Sequence, residues 1–109
     1  MARAAAVIAL GCLLGWAGLA HGEPSEARRD VLLHRLKHDC GSCHGMTLKG
    51  GLGPPLLPSH IAGKSDEDLA VVIRKGLPGT PMPPWDFEIS RDEALWLVHQ
   101  LREGTHAGR

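Results

Sequence analysis

The chain has no tyrosine, one phenylalanine and three tryptophans, so aromatic side chains can supply little of a core. Charge of one sign is not in excess: twelve Lys and Arg face twelve Asp and Glu. That balance removes the electrostatic case for nucleic acid or an anionic membrane as partner. Cysteine is scarce, with three in 109 residues, which excludes the disulfide framework that staples many small secreted domains. No stretch alternates apolar and polar residues as a half-buried strand does, and no internal repeat or low-complexity tract appears. The class implied is all-α.

The first residues read as an export signal. Arg3 supplies a positive start, "AAAVIALGCLLGWAGL" (Ala4 to Leu19) is apolar and uncharged, and Ala20 and Gly22 are small residues of the kind a signal peptidase cuts beside. The expectation is a cleavable signal peptide over residues 1–22 and one domain over 23–109. The apolar run is short for a membrane span, so an uncleaved anchor is the lesser alternative and no span remains after cleavage. A lipid-attachment reading of "ALGC" is weak, because Ala9 stands where leucine is usual and the apolar run continues past Cys12. Cleavage leaves two cysteines and a chain too small to bury much apolar surface alone, so a staple is needed.

Three helices are expected. The first starts near Ser25 or Glu26 and runs through "EARRDVLLHRLKHD", with Leu32, Leu33, Leu36 and Cys40 on one face. The second opens at Ser65, carries Leu69, Val72 and Ile73 as its stripe, and stops at Gly76. The third is capped by Ser90 and Glu93, lines Ala94, Leu97, Val98 and Leu101 along one face, and ends by Gly104. Between them lie two odd loops. Residues 45–63 hold five glycines and three prolines, and "GLPGTPMPPW" (Gly76 to Trp85) holds four prolines in ten residues. A structureless loop of the first one's length is uncommon without a job. Both loops contain apolar residues that need a large apolar object to pack on.

The segment "DCGSCHG" supplies one. Cys40, Cys43 and His44 stand at i, i+3 and i+4, so one helical turn points both sulfurs and the imidazole the same way. C-x-x-C-H reads as a c-type haem attachment site, with thioethers from Cys40 and Cys43 and iron ligation by His44. A redox dithiol would want its first cysteine at a helix N-terminus in a βαβ setting. A structural zinc site would want four ligands at suitable spacing. Neither is visible. For the sixth iron ligand, Met46 lies too close to His44 to cross the ring. Met82, between Pro81 and Pro83, sits in a stiff arch able to hold a thioether. Methionine is ordinarily adaptable core filler, but the flanking prolines favour a ligand here. His34, His38, His60, His99 and His106 are expected at the solvated surface, with His34 and His38, at i and i+4, the one pair suited to zinc. The glycine-proline loop should offer a backbone carbonyl, most simply that of Pro54, to the second nitrogen of His44. Gly50, Gly51 and Gly53 would let the main chain approach the haem, and Leu52, Leu56 and Leu57 would cover it.

Cys40-x-x-Cys43-His44, Gly53-Pro54-x-Leu56 and Met82 in a proline-rich loop before a last helix resemble a class I monohaem cytochrome c. The resemblance covers nearly all of residues 23–109. It implies the small cytochrome c fold, N- and C-terminal helices crossing with Trp96 at the contact, and one covalent haem c held by Cys40, Cys43, Pro54 and Leu56 with His44 and Met82 as axial ligands. "DCGSCHGMTLKGGLGPPLLP" and "GLPGTPMPPW" are further similar to the small periplasmic cytochromes that accompany the haem c/haem d nitrite reductase of denitrifying bacteria. That likeness implies a monomeric periplasmic electron carrier and not an enzyme, its partner a redox protein such as that reductase. The alternatives are an electron-supplying partner in haem d maturation and a small haem peroxidase. Met46, Leu48, Trp85 and the prolines near Met82 are expected at the rim where partners meet. The acids Asp66 to Asp68 are expected mainly to cap a helix.

Overall fold

The computed structural model describes residues 3–6, 11 and 22–106. Most of the expected signal segment therefore lies outside the described residues. The elements are α1 (Glu26–Arg35), a π-helical turn (Leu36–Cys40), α2 (Gly41–His44), α3 (Pro58–Ile61), α4 (Asp66–Lys75) and α5 (Arg91–Glu103). Among the described residues there is no strand.

Side-chain caps decide where the three long helices begin. The hydroxyls of Ser25, Ser65 and Ser90 accept the backbone N–H groups of Arg28, Asp68 and Glu93 at 3.2, 3.1 and 3.2 Å. At Ser90 the box is complete, since Glu93 Oε1 accepts the Ser90 N–H at 3.0 Å. Glycine ends the latter two: Gly76 at φ +71° and Gly104 at φ +69° take conformations that L side chains resist. The first helix runs further than expected. Arg35, Leu36, Cys40 and Gly41 are all right-handed helical, so α1, the π turn and α2 form one rod that ends at Gly45 (φ +89°). The wider π turn returns Cys40 more nearly beneath Leu36 than an α turn would, keeping it beside the Leu32–Leu36 stripe.

The core is small and wholly apolar. Leu32, Leu36, Leu48, Ile61, Ala70, Ile89, Ala94, Leu97, Val98 and Leu101 are buried, with no polar or charged side chain among them. α4 and α3 pack on α5, and α1 touches it. Truncating a fully buried leucine such as Leu97 to alanine costs about 2–5 kcal/mol in sites of this kind. The stripe expected on α4 is corrected: Ala70 is its buried residue, Leu69 and Ile73 pack partly on the core, and Val72 does not join it. Trp96 is half-buried against the same core.

Two arginines tie the elements together. Arg28 of α1 donates to the Glu93 carboxylate and to the Glu88 carbonyl at 2.6 Å. Arg102 of α5 donates to the Lys64 carbonyl at 2.6 Å, to the Ile61 carbonyl at 3.3 Å and to Asp66. Asp66 thus joins α4 to α5, a role beyond helix capping. The long first loop is also not structureless, because Pro58 opens the short α3 and packs against Gly104.

Candidate haem-binding site

The rod formed by α1, the π turn and α2 carries Cys40, Cys43 and His44 to its C-terminal end, where backbone carbonyls lack helical partners. The glycine-rich loop supplies them: Gly53 N–H donates to the Cys43 carbonyl and Gly50 N–H to the His44 carbonyl, both at 2.8 Å. This folds the loop back over the histidine. His44 Nδ1 then lies 2.7 Å from the Pro54 carbonyl oxygen, the acceptor expected from the sequence. A carbonyl can only accept, so Nδ1 carries the proton and Nε2 is the nitrogen left to bind a metal.

The glycines also permit close contacts within the protein. A Cβ on Gly53 would lie 2.8 Å from His44 Cε1 and 2.9 Å from Nδ1, so the imidazole rests directly on the Gly53 backbone. A Cβ on Gly51 would come 2.8 Å from the Cys43 carbonyl oxygen. The close approach is between loop and helix end. Leu56 is half-buried against the core, its N–H donating to the Leu48 carbonyl at 2.9 Å. Leu48 itself is buried, 4% exposed at φ +60°. Its place at the partner-facing rim is therefore corrected: the loop turns it inward onto the helices.

Cys40 and Cys43 are not joined in a disulfide. Cys40 packs against the core, and burial, helped by the negative charge of Asp39, pushes its thiol up to about 11. A redox dithiol needs the opposite, a depressed value at a helix N-terminus. Cys40 instead sits within a helical rod as an apolar sulfur, which suits a thioether.

Met82 sits in an arch between α4 and α5. Thr80 shapes it: the hydroxyl donates to the Leu77 carbonyl at 2.7 Å and accepts the Met82 N–H at 3.3 Å. Leu77 N–H donates to the Met82 carbonyl at 3.2 Å, closing the arch on itself. Trp85 and Asp86 N–H donate to the Ile73 and Arg74 carbonyls at 3.2 and 3.1 Å, anchoring the arch to the end of α4. Gly76 leaves room for this closure, for a Cβ there would lie 2.7 Å from the Met82 carbonyl oxygen. Met46 is committed elsewhere. It folds onto the buried Gly41, where an added Cβ would lie 3.2 Å from its sulfur.

Both loops leave apolar side chains bare, with Leu52 75% and Leu77 45% exposed. A chain with so small a core does not usually leave such groups unburied on structured loops. Their exposure, the two unpaired cysteines one turn apart and the pre-oriented imidazole together fit a large apolar group bearing a metal. Among the described residues no group of three or more His, Cys, Asp or Glu is placed to hold a metal ion by itself. The sequence alone pointed to neither Gly76 nor Thr80 as supports of the arch. The Gly-Leu-Pro-Gly-Thr-Pro order before Met82 is the trace they leave.

Comparison with known proteins agrees. Residues 32–99 match the family described as cytochrome c oxidase, cbb3-type, subunit III. The chain is 50% identical over 90 residues to cytochrome c55X of Pseudomonas aeruginosa, covering 83% of this chain and 76% of that protein. It is 45% identical over 101 residues to cytochrome c55X of Paracoccus denitrificans, covering 93% and 94%. A third relative, dihydro-heme d1 dehydrogenase of P. aeruginosa, is 39% identical over 94 residues, which is 86% of this chain but 18% of that protein. A solved structure, c-type cytochrome NirC, superposes with a TM-score of 0.75 at 50% identity, covering 77% of this chain and 99% of that one.

Proposed function

The chain belongs to the c-type cytochrome family, so it is an electron-transfer protein with a covalently bound haem c, and we propose that it is the periplasmic carrier serving nitrite reduction in denitrification. Haem c supplies a one-electron ferrous/ferric couple when bound. The rest is contributed by the chain. Cys40 and Cys43 would hold the haem through thioethers, and His44 Nε2 and Met82 would ligate its iron. The observation that carries this reading is the 2.7 Å hydrogen bond from His44 Nδ1 to the Pro54 carbonyl, which selects the tautomer and fixes the ring before any metal arrives.

If His44 and Met82 both ligate the iron, no position would be left for a substrate, and the protein would carry electrons without acting as an enzyme. The hydrogen-bonded arch around Met82 and the seated His44 ring keep the ligands in place in both oxidation states. Partners are redox proteins that touch the chain briefly through a small interface. No helix among the described residues is long and apolar enough to cross a membrane.

The test is purification of the exported protein from cells able to attach haem c. The expected product is coloured, heavier than its residues 23–109 by one haem, and shows a weak sulfur-to-ferric charge-transfer band that Met82→Ala abolishes. A colourless product of bare polypeptide mass would overturn the reading, and a native protein that lacks the band and binds peroxide avidly would make it a peroxidase.

A second reading has one observation in its favour. A dehydrogenase of dihydro-heme d1 contains a segment 39% identical to this chain, so the carrier would exchange electrons during haem d1 maturation. Deleting the gene separates the two. Reductase that is present but lacks haem d1 favours maturation, and reductase that is complete but slow with its physiological donors favours electron delivery.

A further inference from the structure

Outside the haem-binding site, two histidines stand apart from the others. Among the described residues, His44, His60, His99 and His106 each have a hydrogen-bonding neighbour, in Pro54, Ser59, Asp66 and Gln100 respectively. His34 and His38 have none and are both exposed. Instead their rings face each other, with centroids 4.3 Å apart and planes tilted by 41°. His34 is in α1 and His38 in the π turn, one turn on. Asp30, a turn earlier, lines the same shallow surface depression as His34.

The geometry points to a surface half-site for a divalent transition metal, with His34 and His38 as its two nitrogen ligands and water completing the shell. Tetrahedral zinc with Zn–N bonds of about 2.0–2.1 Å places two ligand nitrogens roughly 3.3 Å apart, which the two exposed rings, now with centroids 4.3 Å apart, reach by splaying about 1 Å through side-chain rotation. The i, i+4 spacing within one helical rod holds the pair together without help from a loop. Imidazole nitrogens suit Zn²⁺, Ni²⁺ and Cu²⁺, whereas Ca²⁺ and Mg²⁺ want oxygen. Neither ring has a competing hydrogen-bond partner to give up. With only two protein ligands the metal exchanges readily, and its open positions can take ligands from another surface.

The test uses the ferric holoprotein without an affinity tag, in which His44 is engaged by iron, with ZnCl₂ as titrant in a calorimeter. One Zn²⁺ per chain is expected, with no heat from CaCl₂ or MgCl₂. His34→Gln and His38→Gln should each weaken binding by at least about tenfold, since even disturbing a ligand's support costs 10–100-fold. His99→Gln should leave binding unchanged. Visible spectra and melting curves of the variants should match those of the parent, showing that the fold persists. Equal Zn²⁺ affinity in parent and both variants, or loss of binding only on substitution of His60, His99 or His106, would overturn the proposal.

Discussion

Gly53→Ala isolates the seat of the histidine. The φ of Gly53 is not in the left-handed region, so alanine meets no backbone strain and its effect comes from one methyl group. That methyl would lie 2.8 Å from His44 Cε1 and 2.9 Å from Nδ1, against an ordinary contact of 3.4 Å or more. The ring or the loop must therefore give way by about 0.6 Å. The Nδ1 to Pro54 bond now stands at 2.7 Å, and a displacement of that size lengthens or bends it out of the usual 2.7–3.2 Å range. Overpacking costs about 1–3 kcal/mol, and the weakened hydrogen bond about 0.5–1.5 kcal/mol, part of which is the same strain counted twice. The net expectation is a loss of about 1–3 kcal/mol in denaturant unfolding of the ferric holoprotein. A second readout is independent of stability. With its N–H less well bonded, the imidazole is a poorer electron donor to iron, ferric iron is favoured less, and the midpoint potential rises. Gly63→Ala is the control, since a Cβ there meets nothing within 4 Å; it should be neutral or stabilising by up to about 1 kcal/mol. If Gly53→Ala behaves like Gly63→Ala in both unfolding and potential, the contact does not hold the ring and the reasoning fails.

Gly76→Ala should cost about 1–3 kcal/mol through its positive φ and push on the Met82 carbonyl, which is 2.7 Å from the added Cβ; the sulfur-to-ferric band should weaken or vanish at lower temperature than in the parent. Glu93→Gln keeps the capping-box acceptor but removes the charge that meets Arg28, and should cost about 1 kcal/mol at neutral pH for this part-exposed pair. The Arg28 hydrogen bond holds the Glu93 carboxyl below its ordinary 4.5. A carboxyl depressed on folding contributes stability that is complete above its unfolded value and is lost as pH falls through the lower, folded one. The parent and Glu93→Gln should therefore differ at neutral pH and converge below pH 4.5, checked by urea unfolding across that range. Leu97→Ala should lower stability by about 2–5 kcal/mol without moving the visible spectrum of the folded fraction, because Leu97 lies in the helix core.

Much of the helical frame was legible from local chemistry. Ser65, Ser90, Gly76 and Gly104 mark boundaries because caps and stops depend on a few neighbouring backbone groups. The α5 stripe Ala94, Leu97, Val98 and Leu101 was readable for the same reason, since a 3.6-residue period needs no partner to be recognised. On α4, Leu69 and Ile73 were readable as core-facing, but the fully buried Ala70 was missed because alanine carries little apolar signal of its own. Leu48 was misplaced because its direction follows from a loop whose path is set by hydrogen bonds to the Cys43 and His44 carbonyls.

By itself the sequence determined the chemistry: a C-x-x-C-H turn, a proline-flanked methionine, an all-helical frame with capped ends, and no charge bias toward a polyanion. These are local properties, written in residue type and spacing. Only the tertiary structure decided how that chemistry is held. It seats the His44 ring on the Gly53 backbone, closes the Met82 arch through Thr80 and Gly76, and ties α1 to α5 through Arg28 and Glu93. The Arg28–Glu93 contact joins the first long helix to the last, and the loop contacts, though shorter in range, depend on an ångström-scale fit of backbone against side chain that residue type and spacing do not encode.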